Sequence, residues 1–535
     1  MVSFAVKLKR TFLPKKRTSI TVKSNMMRPS RVGVVTNSDS EESFKFVDPE
    51  YEVQLEKGSQ EEIDQYVIDD EYNSGYISPV DRIILKVVDW SGSAFAFFLT
   101  WFVLVAWVIA GIILKAPQTW QIVMQDGQSI QCYIWDTLLM RQQLDDNNGF
   151  LRLYGRLTSR AVTHRRLLML MYPRAKMRST STEAIEALNL RDKDWFDRLC
   201  TFISRIIGSM PCVIVYWIGV FTWVGCGSLY ISTGNPGPYT GERTGSNPQF
   251  AKWSNNWQMY INTAVAVVLL TTSVILENVR ARNNEYVRDE IENLGMLDCQ
   301  IESMSRHITG DIEDNETVVV PACERKRFKK VISAYAEIIG TGVGLIFSMA
   351  VFIVWISIGH TMGWSSNWWL IIGTYTGLVG YVDGFTLREV YYSITVYEEA
   401  KFSELLTQAQ ELLDIAGINY QLKKPELKGS IGHRISMFVS KACSSQWAVV
   451  ASFWTVVGLL CIASGLRWSV TGQLICNTPT MIIEAFCMMI LIQAHGWADY
   501  KRRFVVRELG ISRRLLATNI RAYPYEQSAT SEASR

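Results

Sequence analysis

Four times along the chain, a hydrophobic stretch opens with the same seven-residue phrase. The copies are Trp120-Gln121-Ile122-Val123-Met124-Gln125-Asp126, Trp257-Gln258-Met259-Tyr260-Ile261-Asn262-Thr263, Trp368-Trp369-Leu370-Ile371-Ile372-Gly373-Thr374 and Gly472-Gln473-Leu474-Ile475-Cys476-Asn477-Thr478. The shared pattern is an aromatic residue, an amide, an apolar triplet and a polar pair. Each copy follows another apolar stretch, so the repeating unit is a helical hairpin, and the chain must fold as an array of such units.

The 48% hydrophobic content and 18 tryptophans of this 535-residue chain suit a large soluble protein as well as a membrane one. Its mean hydropathy of +0.08 is low because long polar segments dilute concentrated apolar runs. A membrane span needs about 20 mostly apolar residues. Windows at 93–114, 211–231, 258–276, 343–358, 370–385, 449–466 and 474–493 qualify. The N-terminus is a basic, hydrophilic tail rather than a signal peptide. The ten cysteines show no Cys-x-x-Cys pair, so neither a disulfide framework nor a zinc site is expected.

Charge sets the orientation. Lys and Arg number twelve in 144–209, nine in 279–334 and seven in 387–446, but only four across 115–119, 232–256, 359–367 and 467–471 together. By the positive-inside rule the first group is cytoplasmic and the second outside. The chain is then outside after Leu114 and inside by Arg152, so a further crossing must occupy 121–143 despite Gln125, Asp126, Gln128 and Asp136. The expected fold is an all-α polytopic membrane protein of eight transmembrane helices, arranged as four parallel helical-hairpin repeats with both termini cytoplasmic. Hairpins are expected at 79–143, 210–279, 335–387 and 447–495. Cytoplasmic loops would occupy 144–209, 280–334 and 388–446, with a mostly disordered tail at 1–78 and a cytoplasmic tail at 496–535. The basic block from Lys7 to Arg17 suits contact with anionic lipid or simple solvation; the acidic stretch 39–71 suits disorder.

Polar groups within spans are costly and tend to line a cavity or path. Most of them fall in the second arm of each hairpin, which predicts a central group of four second arms. Asp126 sits near the outer end, and Glu484 lies twelve residues beyond the first position of its own repeat, about 18 Å at 1.5 Å per residue. Asp136 and Asp383 lie at nearly matching depths. Gln125, Asn262 and Asn477 align with Gly373 as an incomplete amide ring. Carboxylate and amide oxygens suit divalent cations. A protonated structural role for Glu484, ion pairs of Asp136 and Asp383 with Arg141 and Arg388, and interhelical bonding by the Asn-Thr pairs remain open alternatives. Gly340-Thr341-Gly342-Val343-Gly344 lacks the Lys-Ser or Lys-Thr of a phosphate loop and reads as close helix packing. No nucleophile–base arrangement, cofactor loop or nucleic-acid-binding pattern is evident, so an enzyme is not expected and no cofactor is implied.

The phrases Met124-Gln125-Asp126-Gly127-Gln128-Ser129, Trp135-Asp136-Thr137-Leu138-Leu139-Met140-Arg141, Trp257-Gln258-Met259-Tyr260-Ile261-Asn262-Thr263 and Ala463-Ser464-Gly465-Leu466-Arg467-Trp468 resemble the fungal low-affinity iron(II) permease family, over about residues 80–515. The resemblance implies a plasma-membrane transporter of iron(II) that also admits copper, zinc, manganese and cadmium. It supplies no ligand set. Asp126, Asp136, Asn262, Asp383, Asn477 and Glu484 are therefore the transport-path candidates from the residues alone. A divalent cation channel shares every residue argument, and a non-transporting receptor or scaffold is the remaining alternative.

Overall fold

The computed structural model describes residues 19–27, 29, 86–87, 90–115, 118–173, 195–227, 253–323, 327–340, 342–425 and 431–533. They form an almost wholly helical membrane protein. In chain order the elements are β1 (Ile20–Lys23), α1 (Ala94–Leu114), α2 (Gln118–Met171), α3 (Trp195–Ile207), α4 (Met210–Gly227), α5 (Asn255–Thr309), β2 (Thr317–Val320), α6 (Arg327–Ile339), α7 (Gly342–Gly359), α8 (Ser366–Ile415), α9 (Ile431–Cys443), α10 (Gln446–Gly465) and α11 (Val470–Ala533).

Four helices dominate: α2, α5, α8 and α11, of 54, 55, 50 and 64 residues. Each pairs extensively with two of the others, closing a ring in the order α2–α5–α11–α8. The ring's helices run parallel: Gln125 meets Thr263 near one end, Glu398 meets Arg502 further along, and Tyr172 meets Asn519 near the other end. At 1.5 Å per residue the shortest is about 75 Å long, well beyond a bilayer of about 40–45 Å.

Six helices among the described residues are long and apolar enough to cross a membrane: α1, α4, α5, α8, α10 and α11. Helix α7 contributes the shorter apolar run Ile346–Gly359. Helix α2 fails the hydropathy test, yet it forms one side of the ring. Its polar residues are buried against other helices, where the cost of exposing them to lipid does not arise. Burial separates two classes. In the apolar windows of α1, α4 and α10, 17%, 17% and 11% of residues are buried, against 67%, 72% and 78% in α5, α8 and α11. The short first arms thus surround the ring and turn Phe102, Ile112, Val215, Phe347 and Trp454 outward.

Three first arms are preceded by 13-residue amphipathic helices α3, α6 and α9. Their exposed apolar residues, among them Trp195, Phe202, Phe328, Val331 and Phe438, suit a helix lying in a membrane surface. These helices were not anticipated from the sequence, because they are too short to register as spans.

Most described residues of the intervals 144–209, 280–334 and 388–446 are helical. The second arms run unbroken past their apolar windows because apolar residues keep recurring at heptad spacing. Leu157, Leu294, Leu405 and Leu509, all buried in one cluster, mark the distal bundle. Within the first tail, β1 pairs antiparallel with β2, Ile20 opposite Val320 and Lys23 opposite Thr317. Gly155 of α2 makes room for this small sheet, since a Cβ there would lie 2.8 Å from Val22. Ser24 then bonds to Ser159 and Asn315, and Asn315 to Arg306, so the strand is keyed into a buried polar network. The basic block before Ser19 and the acidic stretch 39–71 lie outside the described residues.

Candidate path along the ring axis

The repeated phrase acts as a joint between each first and second arm. The Trp107 and Trp120 indoles stack at 3.8 Å, and each ring N–H donates to the other residue's carbonyl. Trp355 and Trp368 stack at 4.3 Å with the same reciprocal bonds. Trp223 and Trp257 repeat both bonds at a wider 6.4 Å. At the corresponding place in α10 and α11, where no tryptophan stands, the Cys476 thiol donates to the Leu459 carbonyl instead. Serines cap the second arms just before the phrase: Ser254 and Ser365 accept from the N–H groups of Trp257 and Trp368.

With the phrases level, the residues that follow form successive layers across the ring. The first is apolar: Ile122, Met259, Leu370 and Leu474 make a buried cluster of their own. The next is Gln125, Asn262, Gly373 and Asn477. The Gln125 amide donates to Thr263 Oγ1 at 3.0 Å and to the Met259 carbonyl, leaving its own oxygen bare. Asn262 is fully buried with neither amide atom satisfied, and Asn477 Oδ1 and Asp126 Oδ2 also lack partners. Buried acceptors without donors are rare and costly, and a cation passing among them would supply what they lack.

Helix α8 makes the space. Gly373, Gly377, Gly380 and Gly384 recur at intervals of four, three and four residues, which places them on one helix face. A Cβ at Gly373 would lie 2.8 Å from Asp126 Oδ1, and one at Gly377 would lie 2.5 Å from Asn477 Oδ1. At Gly380 it would lie 3.6 and 3.8 Å from the two Glu484 oxygens and 3.9 Å from Asp136 Oδ2. Two carboxylates from α11 and α2 therefore converge on bare backbone of α8, and Asp136 Oδ2 has no partner. Below them Leu139, Leu276, Leu387 and Leu491, all deeply buried, form a second apolar layer. It lies 17 residues beyond the first, about 25 Å along the axis.

The candidates from sequence fare unequally. Asp126, Asn262 and Asn477 lie together in the polar layers nearest the repeated phrase, and Asp136 and Glu484 meet further along the axis. Asp383 is drawn outward: it accepts a 2.6 Å bond from Tyr335 on α6, although its second oxygen stays bare. Arg388, one of the expected ion-pair partners, donates its Nε–H to the Cys487 carbonyl. Glu277 lies just past the leucine layer with both oxygens unpartnered. The glycine face of α8 and the two apolar layers were not foreseen. Among the described residues no three His, Cys, Asp or Glu side chains gather closely enough to hold a metal ion. The axis thus offers a dispersed file of oxygens rather than a tight cage.

A family model described as low affinity iron permease matches residues 432–527. The chain is 44% identical over 458 residues to the low-affinity Fe(2+) transport protein of Saccharomyces cerevisiae, a match covering 82% of this chain and 83% of that protein. It is 38% identical over 458 residues to the low-affinity iron/zinc ion transport protein of Schizosaccharomyces pombe, covering 84% and 74% respectively. No solved structure matches.

Proposed function

Because the chain belongs to the low-affinity iron permease family, we propose that it carries iron(II) into the cell along the axis of the α2–α5–α11–α8 ring. The observation that carries this reading is the convergence of Glu484 and Asp136 on the bare Gly380 backbone, between two four-residue apolar layers. A divalent ion needs anionic oxygen where water is scarce, and this is where the axis supplies two carboxylates. Asp126 would collect the ion, the Gln125, Asn262 and Asn477 oxygens would replace part of its hydration shell, and Glu484 with Asp136 would bind it midway. Glu277 would receive it beyond the leucine layer, while Asp383, tied to Tyr335, would act at the edge.

Few ligands at each stage suit weak binding, which agrees with the low affinity in the relatives' names. Oxygen-rich sites discriminate poorly among divalent metals. The zinc in the S. pombe protein's name supports zinc as a second cargo, and copper, manganese and cadmium follow as weaker substrates. Movement inward would gain roughly 4.6 kcal/mol per 100 mV for a doubly charged ion, at about 2.3 per charge, so the membrane potential could drive uptake.

This reading places eight crossings in the plasma membrane, as four parallel in–out–in hairpins with the long distal bundle and both termini in the cytoplasm. The apolar layers at both ends of the polar stretch favour a carrier that opens one side at a time over an open channel. A receptor or scaffold would have no use for unpartnered acceptors on its axis. Glu484→Gln, which keeps shape and removes charge, should cut iron(II) uptake at least tenfold (about 1.4 kcal/mol) at equal surface abundance. Unchanged uptake would remove Glu484 from the path.

A further inference from the structure

Between α8, α9 and α11 lies a cavity of about 280 Å³ that the ion path does not use. Its walls have two characters. Val396, Met437, Phe438 and Ile490 form an apolar side, and Phe438 and Val396 are exposed. Arg388, Lys441 and Lys501 bring positive charge, against one carboxylate, Glu399. Lys501 already pairs with Glu399 at 2.8 Å. Lys441 makes no ion pair among the described residues. Arg388 is 2% exposed, gives its Nε–H to the Cys487 carbonyl and lies 5.5 Å over the Phe385 ring; both terminal nitrogens, Nη1 and Nη2, are buried without a hydrogen-bond partner.

A guanidinium buried with four unused N–H donors is a costly arrangement unless something anionic completes it. The place narrows the choice. Helix α9 is the amphipathic helix before the first arm α10 and exposes Ile435 and Phe438, so it marks a membrane surface. Under the topology proposed above, that surface is the cytoplasmic leaflet, where anionic lipids concentrate. We infer that this cavity binds an anionic glycerophospholipid of the inner leaflet, its phosphate held by Arg388 and Lys441 and an acyl chain lying along Val396, Phe438 and Ile490.

The lipid bridges α9 to the two ring helices that carry Gly380 and Glu484, without touching either residue. Its test uses the full-length protein in detergent with a photoactivatable phosphatidylserine, and peptide mapping of the captured site. Capture on α9 and α11 should be blocked by unlabelled phosphatidylserine but neither by phosphatidylcholine nor by millimolar inorganic phosphate. Lys441→Glu, at an exposed position, should weaken capture by more than the about fivefold expected for loss of one basic residue, because it also adds a repulsive charge. Arg388→Gln should weaken it by about fivefold, given an elution profile matching the parent protein. Equal blocking by phosphatidylcholine, or full capture by Lys441→Glu, would overturn the proposal, and displacement by inorganic phosphate would reassign the cavity to a free anion. Iron(II) uptake measured in parallel separates the cases. Parent protein that transports iron(II) but captures no phosphatidylserine counts against this inference alone; parent protein that captures the lipid but transports no metal counts against the transport path alone.

Discussion

Gly380→Ala should give a protein that folds as well as the parent or better but transports poorly. The new methyl would sit 3.6 Å from Glu484 Oε1 and 3.9 Å from Asp136 Oδ2, both ordinary contacts, so no backbone shift is required. Replacing an interior helical glycine by alanine favours the helix by about 0.8–1 kcal/mol, so stability should be unchanged or raised by up to that amount. The methyl nevertheless fills the open side of the carboxylate pair. Denying a passing ion one charge-assisted contact costs about 1.5–3 kcal/mol, which at 1.36 kcal/mol per decade is a loss of roughly 10- to 150-fold in uptake. The assay is radiolabelled iron(II) uptake in cells lacking their own low-affinity route, normalised to surface protein, beside thermal melting in detergent. Gly377→Ala is the contrast, because its methyl would lie 2.5 Å from Asn477 Oδ1 and must displace that side chain, so both stability and uptake should fall. Parental uptake by Gly380→Ala at equal surface abundance would refute the path as drawn.

The indole joints and the distal bundle give two further tests. Trp368→Phe keeps an aromatic ring but loses the 2.8 Å bond to the Trp355 carbonyl, which should lower stability by about 1–2 kcal/mol in detergent melting. His164 lies far beyond the apolar windows, fully buried, with Nε2 donating to the Asp298 carbonyl at 3.1 Å. Burial, aided by the Arg513 guanidinium and opposed by Asp298, holds its pKa below the usual 6.5. The unfolded chain therefore takes up this proton first as pH falls, so stability should decline below about pH 6.5. His164→Asn should flatten that decline relative to the parent; an identical pH profile would show that the imidazole does not contribute.

Much of the architecture was legible in the sequence because the repeated phrase marks a joint. Trp107 and Trp120 are the same distance apart as Trp355 and Trp368, and the structure shows each pair stacked. Charge parity pointed to a crossing at 121–143 that hydropathy rejects; those residues lie in α2, which forms one side of the ring. Glu484 and Asp136 could be singled out because carboxylates are conspicuous in apolar surroundings. Gly380 could not, since bare backbone gains meaning only when a partner helix brings carboxylates to it. The leucine layer was equally hidden: Leu139, Leu276, Leu387 and Leu491 are ordinary residues until the phrases are set level. The amphipathic helices and distal bundle escaped notice because span-length windows of hydropathy blur short 3.6-residue periodicity and reject charged heptads. Trp195, Phe196, Leu199, Phe202, Ile203 and Ile206 show that the signal was present in α3.

The axis as a route for divalent metal is tested most directly by purified protein in sealed proteoliposomes, loaded with a metal-quenched dye and given iron(II) outside under an imposed inside-negative potential. Dye quenching should rise with the potential, saturate only at high metal concentration, be slowed by competing zinc, and fall at least tenfold (about 1.4 kcal/mol) in Glu484→Gln vesicles of equal protein content. Quenching equal to that of protein-free vesicles, or equal in parent and Glu484→Gln, would contradict transport along this path.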